Sequence, residues 1–173
     1  RPTMRSGICR VLLLCLPLLL VACNRQYLVT VNNQAVYDPR LPEGTVQLQD
    51  ADLQGCLNLA LRQQRLENPL EITALSCARA DIQTLECIQQ FQQLRFLDLA
   101  GNRITDLQPV ASLPQLSALS VPDNRITDLS PLFGMRSLSA VILTGNNGIA
   151  CAQLDRLAQR IGDNLTRPEV CDN

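Results

Sequence analysis

The stretch that decides the fold is LRFLDLAGNRITDLQPVASLPQ, Leu94–Gln115, because the next 22 residues, LSALSVPDNRITDLSPLFGMRS, Leu116–Ser137, restate it. The hexapeptide NRITDL stands at Asn102–Leu107 and again at Asn124–Leu129. One copy reads as a polar turn with apolar residues behind it. Two copies at a fixed offset define a structural period, and a period of this size governs the whole fold. Stepping by 22 from Leu94 gives an apolar first position of Ile72, Leu94, Leu116 and Leu138. The fourth reads Leu75, Leu97, Leu119 and Val141, and the sixth Cys77, Leu99, Val121 and Leu143. The ninth reads Ala80, Asn102, Asn124 and Asn146, and the eleventh Ile82, Ile104 and Ile126. In the fourth copy Asn147-Gly148 inserts one residue and moves Ile149 into the isoleucine slot.

Alternation at positions four and six predicts a short strand in every copy, with those side chains inward. Such strands stack in parallel, and only stacking buries the apolar edge of each copy. The asparagines at Asn102, Asn124 and Asn146 fall at the turn after each strand. Their carboxamides are suited to satisfying the backbone groups that the turn buries, as a ladder along the stack. Pro109 and Pro131 fix the returning backbone, where no strand ladder needs an N–H.

The pattern L-x-x-L-x-L-x-x-N-x-I resembles the leucine-rich repeat, and D-L-x-P at Asp106–Pro109 and Asp128–Pro131 looks like its internalin-type variant. The resemblance covers about half of the chain. It implies an α/β fold: a short leucine-rich-repeat solenoid of about four 22-residue repeats, with parallel strands on its concave face.

A stack this short needs its ends sealed. Upstream, Asp50–Gln64 carries Leu53, Cys56, Leu57 and Leu61 at helical spacing behind an N-capping Asp50 or Asp52. Downstream, Ala150–Ile161 places Leu154, Leu157 and Ile161 on one face, with Gly162 as C-cap. Both read as cap helices. Tyr27–Arg40 holds two β-rich runs around Asn32-Asn33, which predicts an N-terminal β-hairpin.

The first 22 residues read differently. Arg5 and Arg10 precede VLLLCLPLLLVA, Val11–Ala22. That run is shorter than the roughly 20 residues that span a bilayer, and it fits a secretory signal. Its end, Leu20-Val21-Ala22-Cys23, resembles the bacterial lipobox. The resemblance implies cleavage before Cys23 and acylation of that cysteine, anchoring the chain to a membrane without a spanning helix. Asn24 in place of aspartate implies the outer membrane by the sorting rule of such proteins. The expected organisation is therefore a signal peptide at 1–22, a lipidated N-terminus with hairpin and linker at 23–49, an N-terminal cap helix at 50–71, repeats at 72–149 and a C-terminal cap at 150–173. That order is similar to a group of leucine-rich-repeat lipoproteins of Gram-negative bacteria.

Five cysteines lie beyond Cys23: Cys56, Cys77, Cys87, Cys151 and Cys171. An odd number allows at most two disulfides among them, in several arrangements, and export favours their formation. The expected pairs are Cys56–Cys77, tying the cap helix to the first strand, and Cys151–Cys171, pinning the tail. Each closes a loop of about 20 residues, worth roughly 3 kcal/mol in the chain-entropy model. Cys87 is then left over, buried where the next two repeats carry proline.

Composition narrows the chemistry. Of 173 residues 46% are hydrophobic but only 3% aromatic, so aliphatic side chains fill the core. There is no His or Trp, and every basic residue is Arg. That removes the commonest general base, the Schiff-base amine and most zinc ligand sets. Without His or a C-x-x-C pair, no metal or cofactor is expected. A net charge of −1 gives no footprint for nucleic acid. Asp50-x-Asp52-x-x-Gly55 opens like a calcium loop, but Leu61 stands where the bidentate acid belongs. A carboxylate pair such as Asp98 and Asp123 could serve hydrolysis of a glycoside, but nothing in the sequence fixes their separation.

What remains is a surface. Positions two, three, five and seven face the concave sheet and are mostly Ala, Ser and Thr. Arg95, Phe96, Asp98 and Ile142 are the anchors of the kind that dominate interfaces. The function expected is a non-enzymatic, lipid-anchored envelope protein that binds a protein or peptide. The alternative is a structural envelope lipoprotein with no discrete ligand.

Overall fold

A computed structural model of the protein describes residues 29–31, 34–37 and 46–171. The signal peptide expected at 1–22 and the lipidation expected at Cys23 lie outside the described residues. The chain divides into two compact units, Arg1–Pro39 and Arg40–Asn173. In the first, β1 (Val29–Val31) and β2 (Gln34–Tyr37) pair antiparallel, Thr30 opposite Ala35 and Val31 opposite Gln34.

The second unit is a stack of coils built on one parallel sheet. Its elements in chain order are α1 (Ala51–Gln64), β3 (Ala74–Ser76), β4 (Phe96–Asp98), β5 (Ala118–Ser120), β6 (Ala140–Ile142), α2 (Cys151–Ile161) and β7 (Leu165–Thr166). The strands lie side by side in that order, β3-β4-β5-β6-β7. The repeat offset is also the sheet register: Leu75, Leu97, Leu119 and Val141 are successive partners. Short 3-10 turns, at Ile88–Gln90, Gln108–Ser112 and Ser130–Leu132, form the returning side.

The apolar columns make one core. Ile72, Leu94, Leu116 and Leu138 are all buried, as are Ile82, Ile104, Ile126 and the displaced Ile149. Phe91, in the column continued by Leu113 and Met135, is the bulkiest fully buried side chain. Each such aliphatic side chain contributes about 1.5–3 kcal/mol by leaving water, and each needs the coil on either side to do so.

The sheet has five strands rather than the four that the repeats supply. Beyond α2, Leu165 pairs with Val141 and Thr166 with Ile142, and Leu143 N–H donates to Thr166 O at 2.9 Å. The C-terminal cap thus closes the stack with a strand as well as a helix. Leu154, Leu157 and Ile161 of α2 are buried against the last coil. At the other end α1 buries Leu53, Gln54, Leu57 and Ala60, so its inner face is turned from the one expected; Cys56 and Leu61 are only half-buried. Gln54 is tolerated inside because both ends of its amide are engaged, by Leu48 N–H at 2.8 Å and Asn58 Oδ1 at 3.1 Å.

Both ends are latched by side chains that reach the neighbouring coil. Asp50 Oδ1 caps α1 through Asp52 N and Leu53 N, while its Oδ2 accepts from Gln83 N at 2.9 Å and Thr84 N at 3.2 Å. On α2, Arg160 donates to the carbonyls of Met135 and Leu132, and Gln153 Oε1 accepts from Leu129 N. Disulfides join Cys56 to Cys77 and Cys151 to Cys171. Cys87 is also disulfide-bonded, which corrects the leftover thiol expected above.

No helix among the described residues is long and apolar enough to cross a membrane.

Candidate binding face

The concave sheet is positioned by the turn that ends each strand, and that turn depends on two columns. The first is the asparagine ladder. Asn102 Oδ1 accepts from Ala80 N at 3.1 Å and Ile82 N at 3.0 Å, and its Nδ2 donates to Cys77 O at 2.9 Å and Leu99 O at 2.8 Å. Asn124 takes Ile104 N at 3.0 Å and gives to Leu99 O at 2.9 Å. Asn146 takes Ile126 N at 3.1 Å and gives to Val121 O at 2.8 Å. Each carboxamide therefore stitches its own turn to the coil before it, and all three are buried.

The second column is position eight, which the sequence does not announce. Arg79, Gly101, Asp123 and Gly145 all have positive φ, from 53° to 82°. Glycine alternates with larger residues for a reason visible in the stack. A Cβ on Gly101 would approach Arg79 Cγ to 3.0 Å, and one on Gly145 would collide with the Asp123 carboxylate.

With the turns fixed, the face itself follows. Register places Phe96 beside Ala74 on one flank and Ala118, then Ala140, on the other. The neighbouring row runs Ser76, Asp98, Ser120, Ile142 and Thr166. Phe96 and Ile142 thus occupy diagonal corners of a three-strand patch floored by Ala118, Ala140 and Ser120. Phe96 is 42% exposed and Ile142 41%, far above the inward residues of the same strands. Asp98 is held at the third corner by Ser76 Oγ at 3.0 Å and Ala100 N at 3.2 Å, and Arg95 is exposed beside Phe96. The structure therefore brings Arg95, Phe96 and Asp98 together on β4 and its edge, with Ile142 two strands away. Thr166 extends the face by a strand that the repeats did not predict.

The edge of β3 is closed to further pairing. Gln64 Nε2 donates to Ala74 O at 3.0 Å, and Cys56 Sγ lies 3.2 Å from Ser76 O. The residues of position ten form an exposed row in which Asp81 and Arg103 pair at 2.7 Å, an ion pair that solvent and salt weaken. On the returning side an open cleft of about 230 Å³ lies among Glu86, Gln89, Asp106 and Pro109. Among the described residues no group of His, Cys, Asp and Glu could hold a metal ion.

The D-L-x-P motifs are turn starts. Asp106 Oδ1 accepts from Gln108 N at 2.8 Å and Asp128 Oδ1 from Ser130 N at 2.9 Å, and in the first repeat Thr84 Oγ1 takes Glu86 N at 3.2 Å. The Ser130 N–H, with the Ser130 hydroxyl at 2.7 Å, holds the Asp128 carboxyl below its ordinary pKa of 3.8.

Comparison with known proteins agrees with this geometry. The family model described as leucine-rich repeats in two copies matches residues 92–132. Among solved structures the chain is similar to an internalin (InlF) from Listeria monocytogenes, at 31% identity and a TM-score of 0.51, covering 56% of this chain and 30% of that one. It is also similar to internalin C2 of the same organism, at 27% identity and a TM-score of 0.51, covering 56% and 46%. No curated protein sequence matches. In these likenesses the chain is similar to bacterial leucine-rich-repeat proteins of the internalin type. The chain spans less than half the length of the internalins it resembles.

Proposed function

We propose that this chain is a lipid-anchored protein of the bacterial cell envelope that binds a protein or peptide on its concave sheet and carries out no catalysis of its own. The observation that supports the binding reading is the pairing of exposed Phe96 and Ile142 across a floor of alanine and serine, with Asp98 fixed beside them. A bare solvated sheet has no need of two large apolar side chains in water, whereas aromatic and aliphatic anchors on a small-residue floor are what interfaces use. The leucine-rich repeat supports protein binding as a class, and the internalin likeness favours an envelope location. The anchor rests on the sequence at Leu20–Cys23, and the outer-membrane assignment on Asn24. The organisation proposed keeps the signal peptide at 1–22, the lipidated stalk at 23–49, the cap helix at 50–71, the repeats at 72–149 and the closing cap at 150–173.

The test is a crosslinking pull-down from intact cells with the wild type and the triple variant Phe96→Ala, Asp98→Ala, Ile142→Ala. The expected result is loss of a specific partner from the variant with its folding intact. A partner retained in full by the variant would remove the concave face from the proposal. The competing role, a structural lipoprotein with no ligand, is favoured by the many Ala and Ser positions, and it predicts no specific partner in either sample. Mass spectrometry of the mature N-terminus tests the anchor: acyl chains on Cys23 support it, and an unmodified thiol there overturns it.

A further inference from the structure

The ladder asparagines leave a chemical consequence at the end where the ladder stops. In the inner coils the N–H at position eleven is taken by the asparagine of the next coil. Ile82 donates to Asn102, Ile104 to Asn124 and Ile126 to Asn146, at 3.0, 3.0 and 3.1 Å. In the last coil that place in the repeat numbering belongs to Gly148, and no fourth ladder asparagine follows. Among the described residues the Gly148 N–H has no hydrogen-bond acceptor, and the Asn147 carboxamide makes no hydrogen bond either. Both residues are exposed and sit in a turn, between buried Asn146 and buried Ile149. Glycine fits closely there, since a Cβ on residue 148 would lie 2.8 Å from Thr127 Cγ2 and would push that side chain aside. The same absence of a side chain leaves the amide nitrogen unshielded.

We propose that Asn147-Gly148 is a self-modification site of the folded protein, converting to isoaspartate with water as the sole co-reactant. Hydroxide removes the Gly148 amide proton, and the nitrogen attacks Asn147 Cγ. The new N–Cγ bond closes a succinimide as the Cγ–Nδ2 bond breaks and ammonia leaves. Water then opens the ring at either carbonyl, giving aspartate or isoaspartate at position 147. Nothing is oxidised or reduced. The isoaspartyl product routes the backbone through one extra carbon and adds a carboxylate at the junction between the last coil and α2. Asn102, Asn124 and Asn146 are spared, because their carboxamides are buried and bonded on both sides.

The test follows the full chain at mildly alkaline pH, native and unfolded in urea, by peptide mapping with fragmentation that separates aspartate from isoaspartate. Conversion at Asn147 in the native chain at a rate comparable to that of the unfolded chain, with Asn102, Asn124 and Asn146 unchanged, supports the site. Its complete loss in Asn147→Gln, an exposed substitution that leaves the fold intact, supports it further. A native chain that keeps Asn147 while the unfolded chain converts shows that the turn protects the pair, and overturns the proposal. Native conversion spread equally over the ladder asparagines overturns it as well.

Discussion

At the scale of single residues the fold rests on polar groups inside an apolar stack. Asn124 satisfies Ile104 N–H, Leu99 O and Val121 O while 8% exposed, so removing its amide strands groups that belong to two coils. Each stranded buried group costs about 1–3 kcal/mol. Asn124→Ala is therefore expected to lose roughly 2–4 kcal/mol, read as a lower urea midpoint with little change in slope. The left-handed column gives a sharper prediction, because it couples neighbours. Gly145→Ala meets both its own φ of 82° and the Asp123 carboxylate beneath it. Adding Asp123→Gly removes the collision and relieves the φ of 53° at that residue. The double variant is expected to be more stable than Gly145→Ala alone, a coupling that a double-mutant cycle measures. If the two substitutions merely add, the contact between the coils is not what makes glycine necessary. This column was illegible in the sequence for a physical reason. Arg79 and Asp123 hold a conformation usually left to glycine, because the coils above and below fix it. The asparagine ladder, by contrast, was legible, since one residue type meets one need in every turn.

At the scale of elements, legibility followed length and repetition. The repeats were plain because each apolar column recurs, and α2 because Leu154, Leu157 and Ile161 follow one stripe. Strand β7 escaped notice because two residues show no alternation, and it is defined by its partner β6 rather than by its own sequence. The face of α1 was misjudged because Gln54 reads as polar, yet its amide finds partners in the segment before the helix and in the helix itself. The candidate face was legible as residues, Arg95, Phe96, Asp98 and Ile142, but not as an arrangement. The diagonal of Phe96 and Ile142 exists only through the register. The turn elements carry a prediction on pH. Asp128 is held below its ordinary value of 3.8 by the Ser130 N–H and hydroxyl, so the folded state favours its ionised form. The stability this lends is present above the unfolded value and is lost as pH falls through the folded one. Asp128→Asn keeps an acceptor for the Ser130 N–H and no longer titrates. The variant is expected to match the wild type closely at neutral pH, and to lose less stability on acidification below about pH 4, in paired denaturation curves. Because the group is fully exposed the difference is small and shrinks in high salt.

At the scale of the whole molecule the solenoid behaves as a row of coils, each supported only by its neighbours, so the ends decide how it comes apart. The N-terminal end is held by Asp50 across to Gln83 and Thr84 and by the Cys56–Cys77 disulfide, whose Cys77 is inside the core at 2% exposure. The C-terminal end is held by Arg160 on the last 3-10 turn, by Arg167 paired with Asp155 at 2.8 Å, and by Cys151–Cys171, whose Cys151 is exposed. The two disulfides close loops of nearly equal length, with sequence separations of 21 and 20, so chain entropy assigns each about the same roughly 3 kcal/mol. Packing separates them. Cys56→Ala with Cys77→Ala also empties volume from the first buried coil at Cys77, whereas Cys151→Ala with Cys171→Ala removes one exposed and one half-buried side chain. The N-terminal pair is therefore expected to lower the urea midpoint more than the C-terminal pair. Native-state hydrogen exchange locates the damage. Without Cys151–Cys171, amides of α2 and β7 are expected to exchange faster while those of β4 and β5 keep their protection, because opening starts where a coil has one neighbour. Without Cys56–Cys77 the loss of protection is expected first in α1 and β3. Protection lost first in β4 and β5, in either variant, would mean that the coils are not held in place by their neighbours and that the middle of the stack, rather than its ends, is the weak point.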